Sequence, residues 1–582
     1  MNYIWIISFS FFFLAYSAGA ETIMVVADRV NEESSYPTAL GTTLSPSVEA
    51  NDFYQELNLL PFIQSRGNSF INQEDSLRFM GQSSGQLLVL EDGLSQQSST
   101  GIGGSRSYHF LDPFFYTEIK THVGGSVSSI GSGAFSGALE FISDMRPREK
   151  YQLTTGSFGF QKMAYQKVFK KSTHLWSMEF LRSFKSGPSL RPSSSGAAEE
   201  DSRELSVIRI KWKENQHSEL GQYLQVNYFS DRQDFDQFTV DDDRPYSNEF
   251  SGEIIYKNNQ IVFNKYFWKS VLRLQNNQRE VNNVFGDQVN LLTYKSTNLF
   301  LRTDIEMLDF HWIDNFHAGL DLSHDLYLNL TEVQSAKDPT LFQASIFTNA
   351  IKKEKNHRYR FSGRLEHVQN TFLPTGKIGY DFTKSGAMLS LQVSNNTRQP
   401  SFYELYSVYG NENLKAEKNI SVEACISRKL NGGTFQLLGF AQYMKELIHY
   451  NSETFRYENI HKNNLYGVGA NYQQLFGSFE LNISSSLTKS ANQLAQIGIS
   501  PIKISAIGKY QFNSKFNFAV EEVHYNERTI FGGEILGATL FSKVSAQYQY
   551  RPSLIFNASV QGDYQAGVVR NKFFRFGLTG SL

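Results

Sequence analysis

From about residue 150 to the end of the chain, apolar and polar side chains alternate with a period of two. Ile208, Ile210 and Trp212 alternate with Arg209, Lys211 and Lys213; Leu389, Leu391 and Val393 alternate with Ser390, Gln392 and Ser394; Phe479, Leu481 and Ile483 alternate with Glu480, Asn482 and Ser484. Successive side chains of a β-strand point to opposite faces, so the pattern predicts strands with one apolar and one polar face. A soluble sandwich would show the same local pattern. Three features favour an antiparallel barrel in a membrane: no amphipathic helix of note interrupts residues 144–582, aromatics abound, and the chain ends on a strand in which Phe574, Phe576, Leu578, Gly580 and Leu582 share a face. At roughly 9–11 residues per spanning strand, about 22 strands fit with room for turns and loops.

Residues 21–143 read differently. They are rich in Gly and Ser and lack long alternation, with short strands predicted over residues 86–90 and 139–142. We read residues 28–143 as a small α+β domain. A barrel of this width is an open hole unless filled, so the small domain is expected inside it as a plug. Ahead of it, residues 4–16 are apolar and Ala18-Gly19-Ala20 fits a cleavage site, so residues 1–20 read as a signal peptide, although Met1-Asn2-Tyr3 carries no cation.

Composition narrows the function. Lys+Arg 55 against Asp+Glu 57 leaves no basic excess for nucleic acid. The single cysteine, Cys425, excludes an internal disulfide framework and a multi-cysteine zinc site. Mean hydropathy is −0.37 and no run of eighteen apolar residues follows the leader, which excludes helical membrane spans but not strands. No metalloprotease helix, P-loop or nucleophile elbow is present, so an enzyme is not expected.

Four segments carry a family resemblance. Glu21, Thr22, Ile23, Met24, Val25, Val26 and Ala27 resemble a TonB box. The string MGQSSGQLLVLEDG at 80–93 aligns without gaps to the plug motif RGxxSGxxLVLIDG. SIGSGAFSGALEFIS at 129–143 is similar to LYGSGAIGGVINIIT. Finally, RQPSFYELY at 398–406 followed by GNENLKAE at 410–417 resembles FRAPSFxELY…GNPNLKPE. Together and in this order they identify the chain as resembling the TonB-dependent outer-membrane receptors. The resemblance implies a monomeric 22-stranded barrel with a lumenal plug, in the outer membrane of a Gram-negative bacterium and surrounded by its lipid. It also implies uptake of a scarce nutrient, a small molecule or metal chelate of the iron-siderophore or cobalamin class, driven by TonB and its inner-membrane motor. TonB would pair as a strand with residues 21–27, which suits a β-prone, proline-free segment. A haem or glycan receptor of the same family, a passive channel and a surface-binding barrel are the alternatives.

The departures matter as much as the matches. The family's two plug arginines, which pair with barrel carboxylates, are replaced here by Met80 and Val123. Arg78, on the same strand face as Met80, is the candidate substitute, with Glu423 as its barrel partner; Arg78 facing lumen water is the alternative. Tyr108, His109 and Phe110 are candidate ligand residues at the plug apex, with burial against the barrel wall as their bland reading. Asp231, Asp234, Asp236, Asp241, Asp242 and Asp243 form an acidic set that could hold a structural calcium ion, although they lack a defined ligand spacing and a solvated loop accounts for them better. No other cofactor is expected.

Overall fold

The computed structural model describes residues 43–44, 57–65, 77–124, 131, 133–188, 200–214, 220–234, 246–263, 266–285, 288–329, 339–369, 371–451, 453–492, 498–529, 535–565 and 568–581. Residues 1–20, expected to be a signal peptide, the TonB-box resemblance at 21–27, and Asp236, Asp241, Asp242 and Asp243 lie outside them.

Twenty-two strands form a closed antiparallel barrel in which each strand pairs with its neighbours in sequence. Closure comes from the last strand, Val568–Ser581, pairing antiparallel with the first, Arg148–Gly156, from Arg575↔Gly156 to Ser581↔Lys150. The strands range from 9 residues in Arg148–Gly156 to 23 in Gln288–Phe310. Many therefore run on past the 9–11 residues that cross the hydrocarbon, where continued pairing keeps their backbone groups satisfied. At one end most connections are tight, such as Ser385-Gly386 and Asn431-Gly432; at the other several are long, such as 399–416, beside short ones such as 369–370.

Which face is buried decides between the barrel and a soluble sandwich. Ile208, Ile210, Leu391 and Val393 are 42–50% exposed, whereas the alternating Arg209 and Lys211 are 1% and 0% exposed. Apolar outside and charged inside is the arrangement of a wall facing lipid, not of a sandwich core. No helix among the described residues is long and apolar enough to cross a membrane. Exposed aromatics gather at the strand ends: Phe263, Trp312 and Phe512 at tight turns, Phe372 and Phe455 at the other end. Phe574 and Phe576 of the final strand face outward as its pattern predicts.

The N-terminal domain fills the lumen. Its five-stranded sheet has the order Thr43–Leu44, Tyr116–Val123, Gly137–Ser143, Leu87–Glu91, Leu94–Ser95, and a two-stranded sheet joins Ile63–Ser65 to Leu77–Phe79. Leu87–Glu91 and Leu94–Ser95 form a tight hairpin at Asp92-Gly93, both at positive φ (48° and 81°), as an Asp-Gly pair predicts. Residues 139, 119, 141 and 89 of the main sheet face pack with Leu181, Leu205, Val207, Phe229, Phe440, Met444 and Leu465 of the barrel in one apolar cluster.

Since Ile208 faces lipid near the middle of the strand Glu200–Lys213, Ile208→Arg is expected to destabilise the assembled barrel by about 2–4 kcal/mol. Ile208→Leu should be nearly neutral. Denaturant midpoints of the two variants refolded in bilayers test this.

Candidate functional site

The plug carries carboxylates and the barrel wall beside it carries cations. Glu91 and Asp92 end the strand Leu87–Glu91 and begin its turn, which aims them at the strand Glu200–Lys213. There Arg209 Nε lies 3.4 Å from Glu91 Oε1, and Arg209 Nη1 lies 2.8 Å from barrel Glu179. Lys211 Nζ is 3.5 Å from Glu179, 3.8 Å from Glu91 and 3.9 Å from Asp92, and donates to the Ser143 hydroxyl at 2.6 Å. Burial pushes the Glu91 carboxyl above its ordinary range, with Arg209 and Lys211 pulling against it. Burial acts on Asp92 too, but Lys211, Lys257 and the Ser143 hydrogen bonds outweigh it and hold Asp92 below the usual value. Nearby, Asp112 pairs with barrel Lys162 at 2.7 Å. Plug Arg106 reverses the polarity, meeting Glu249 at 3.0 Å and stacking over Phe229.

The opposite side of the plug is held differently. Lys503 donates to the Leu60 and Ile63 carbonyls at 2.7 and 2.6 Å, Gln64 exchanges two 2.9 Å bonds with the Ser500 backbone, and Ser484 and Ser505 both donate to the Leu59 carbonyl.

A third contact is built by the segment resembling the family's barrel motif. Ser401 caps the short helix Phe402–Tyr406 in a capping box with Glu404. Arg398 then reaches both Glu404 oxygens at 3.0 Å, Glu417 at 2.5 Å and the plug's Gly103 carbonyl at 3.4 Å. The plug's Gln86 amide donates to Glu417 at 3.2 Å. This buried cluster ties the plug apex to the barrel.

Above the apex lies a cavity of about 210 Å³. Its floor is plug residues including Leu88, Ser99, Gly103 and Gly133, and its wall is barrel residues including Arg273, Asp321, Asp325, Arg364 and Phe402. It lies at the long-connection end, because Arg398 is the last residue before the 399–416 connection. In barrels of this kind, long loops face the exterior and tight turns the periplasm.

The sequence-based candidates fall as follows. Tyr108 and Phe110 do not face the cavity. They are 1% and 4% exposed, and Phe110 stacks on barrel Phe229 with centroids 4.5 Å apart. The barrel wall offers an aromatic surface that the cavity floor does not, so burial wins. His109 is half-buried between them. Asp231 is paired with Arg203 at 2.9 and 2.6 Å, and Asp234 accepts from Ser202, so these two carboxylates already have strand partners. Arg78 sits on the strand Leu77–Phe79 opposite Gln64. Glu423 is fully buried, accepts from Gln392 at 3.2 Å and from the Ser421 hydroxyl, and abuts the plug at Gly124. Gly124 has φ +65° and any side chain there would strike the Glu423 carboxylate, which explains a glycine after Val123.

The Glu91–Arg209–Glu179–Lys211 cluster was not singled out from sequence, although a signal existed. Glu91 stands where the family string LVLIDG has isoleucine, and Arg209 and Lys211 occupy the inward positions of an alternating strand.

Comparison with known proteins agrees with this geometry. The model of the family described as "TonB dependent receptor-like, beta-barrel" matches residues 149–580. A mutant of the ferric enterobactin receptor PfeA from Pseudomonas aeruginosa superposes with a TM-score of 0.78 at 11% identity, over 95% of this chain and 99% of that one. The siderophore receptor PirA from Acinetobacter baumannii gives 0.77 at 12%, over 96% and 99%, and the copper transporter OprC gives 0.77 at 11%, over 94% and 98%. At such identities these likenesses speak to the fold.

Arg209→Met would leave Glu91 and Glu179 buried with Lys211 as their remaining close cation. It is expected to destabilise the plug–barrel contact by about 3–5 kcal/mol and to admit large antibiotics. Adding Glu91→Ile, which removes the stranded charge, should restore much of the barrier. Antibiotic sensitivity and protease resistance of the plug in outer membranes check both outcomes.

Proposed function

The chain belongs to the TonB-dependent receptor family, and from that premise we propose that it captures an iron–siderophore chelate in the outer cavity and delivers it to the periplasm with energy from TonB. The observation that carries this reading is the cavity itself: a polar, charged hollow whose floor is the plug apex, so that a ligand seated there touches both the fixed wall and the part that must move.

The lining favours a bulky organic chelate over a bare metal ion. Its polar groups are guanidinium, carboxylate, amide and hydroxyl groups with Phe300 and Phe402 beside them. A naked copper ion or a haem iron calls for softer nitrogen or sulfur ligands, while a chelate presents oxygens and flat rings that arginines and aromatics recognise. Solved structures that share this fold include receptors named for ferric enterobactin and for siderophores. Cobalamin is the second reading, a ligand class that the family resemblance implies equally.

Energy coupling rests on residues 21–27, whose backbone would pair as a strand with TonB. Proline removes an N–H and blocks such pairing. Val25→Pro is therefore expected to abolish uptake while leaving surface binding intact. Growth of a deletion strain on a panel of iron chelates and cobalamin, complemented by the native and Val25→Pro forms, identifies the ligand class and tests the coupling. Undiminished uptake by the variant, or in a strain lacking TonB, would overturn active transport.

A further inference from the structure

The two faces of the plug sheet meet the barrel in different ways. Cross-strand pairing puts Val89, Leu139, Thr121, Ile119 and Phe141 on one face. That face packs into the large apolar cluster shared with the barrel, beside the ion pairs of Asp112 and Glu91. The same pairing puts Leu88, Ala138 and His122 in one row of the other face, and Leu90, Glu140 and Lys120 in the next. Glu118, opposite Ile142, follows in a third row.

This second face begins at the cavity, because Leu88 lines it. It ends in solvent: the side chains of Lys120 and Glu118 are 40% and 42% exposed. Between these ends His122 and Glu140 are paired at 3.1 Å and buried. From residue 122 to 118 a strand covers about 13 Å at 3.3 Å per residue. Across the sheet from Leu88, beyond Ala138, a file of polar side chains thus starts at buried His122 and runs to the solvent-exposed end of the plug, closed by packing on its cavity side.

The barrel side across the cavity, strands within residues 288–384, is also polar, and several of its charges pair within the wall, although Asp325 also accepts from plug Ser99 at 3.2 Å. Arg302 and Arg364 both bind Asp321, at 2.6 and 2.7 Å, and Arg360 binds Asp381 at 2.7 Å. Parting the plug from this wall leaves those pairs intact. Parting it from the wall that carries Lys162, Arg209 and Lys211 would strip buried charges of partners, which is the costlier separation.

We propose that the ligand path runs along this second face, between the file His122, Glu140, Lys120, Glu118 and the self-paired wall of strands 288–384, while the ion-paired face stays attached to the barrel. The proposal rests on the transport reading above.

Thiol labelling after assembly tests it. In cells carrying Lys120→Cys, reagents of increasing bulk that still pass general porins should lower uptake progressively, at least tenfold for the largest, with ligand binding at the surface unchanged. A methanethiosulfonate adduct should be reversed by reductant. On the other face, Phe110→Cys and Phe229→Cys joined by a short bifunctional thiol reagent should leave uptake within about twofold of the unlinked receptor. The native receptor, whose Cys425 is buried, is treated in parallel. Full uptake by heavily labelled Lys120→Cys, or arrest of uptake by the Phe110–Phe229 link, overturns the path. Absence of TonB-dependent uptake in the unmodified receptor defeats the transport reading instead, and the path with it.

Discussion

A chain in a bilayer has no water to satisfy its peptide groups, so every N–H and C=O in the hydrocarbon must pair within the protein. Here that constraint is met by seating Val568–Ser581 on Arg148–Gly156, which closes the ring and leaves no strand edge. Closure fixes what each face must be. Residues such as Ile208 and Ile210 turn to lipid, and by the period of the strand Arg209 and Lys211 are carried inward. The charged interior follows from the apolar exterior.

A charged interior needs partners, because a buried unpaired ion is far costlier than a paired one. The barrel meets this need in two ways. Across strands 288–384 several charges pair with one another, as Arg302 and Arg364 do with Asp321. Across the strands 161–171 and 200–213 the cations Lys162, Arg209 and Lys211 turn to carboxylates that include Asp112, Glu91 and Asp92 of the plug. The plug is thereby held on one side by ion pairs and apolar packing, and near its N-terminal end by Lys503 bonded to backbone carbonyls. The polarity is opposite to that of the family's plug arginines: at positions 80 and 123 the charges are gone, and at 91 a new one has appeared with a barrel arginine to meet it.

The motif at 398–417 links this scaffold to the cavity end. Arg398 sits between Glu404 and Glu417 and touches the plug carbonyl of Gly103, while the residues just after it line the cavity. The plug loop that carries Ser99 and Gly103 in the cavity floor is fastened by a hydrogen bond to Asp325 and by the Arg398 cluster. These bonds lie beside the cavity, whereas the ion pairs of Glu91 and Asp112 lie on the far face of the plug.

The sequence by itself determined the strands, their inward and outward faces, the hairpin at Asp92-Gly93 and the family, because period-two alternation and turn chemistry are local properties written residue by residue. It also exposed the loss of the plug arginines at Met80 and Val123. It did not determine what replaced them. Glu91 and Arg209 are more than a hundred positions apart, and nothing in either strand's own pattern says that the two will face each other; only closure of the barrel and seating of the plug bring them together. The same holds for Tyr108 and Phe110. An aromatic run on a glycine-rich turn reads equally well as a ligand surface or as wall packing, and the presence of Phe229 across the interface, a tertiary fact, decided for the wall.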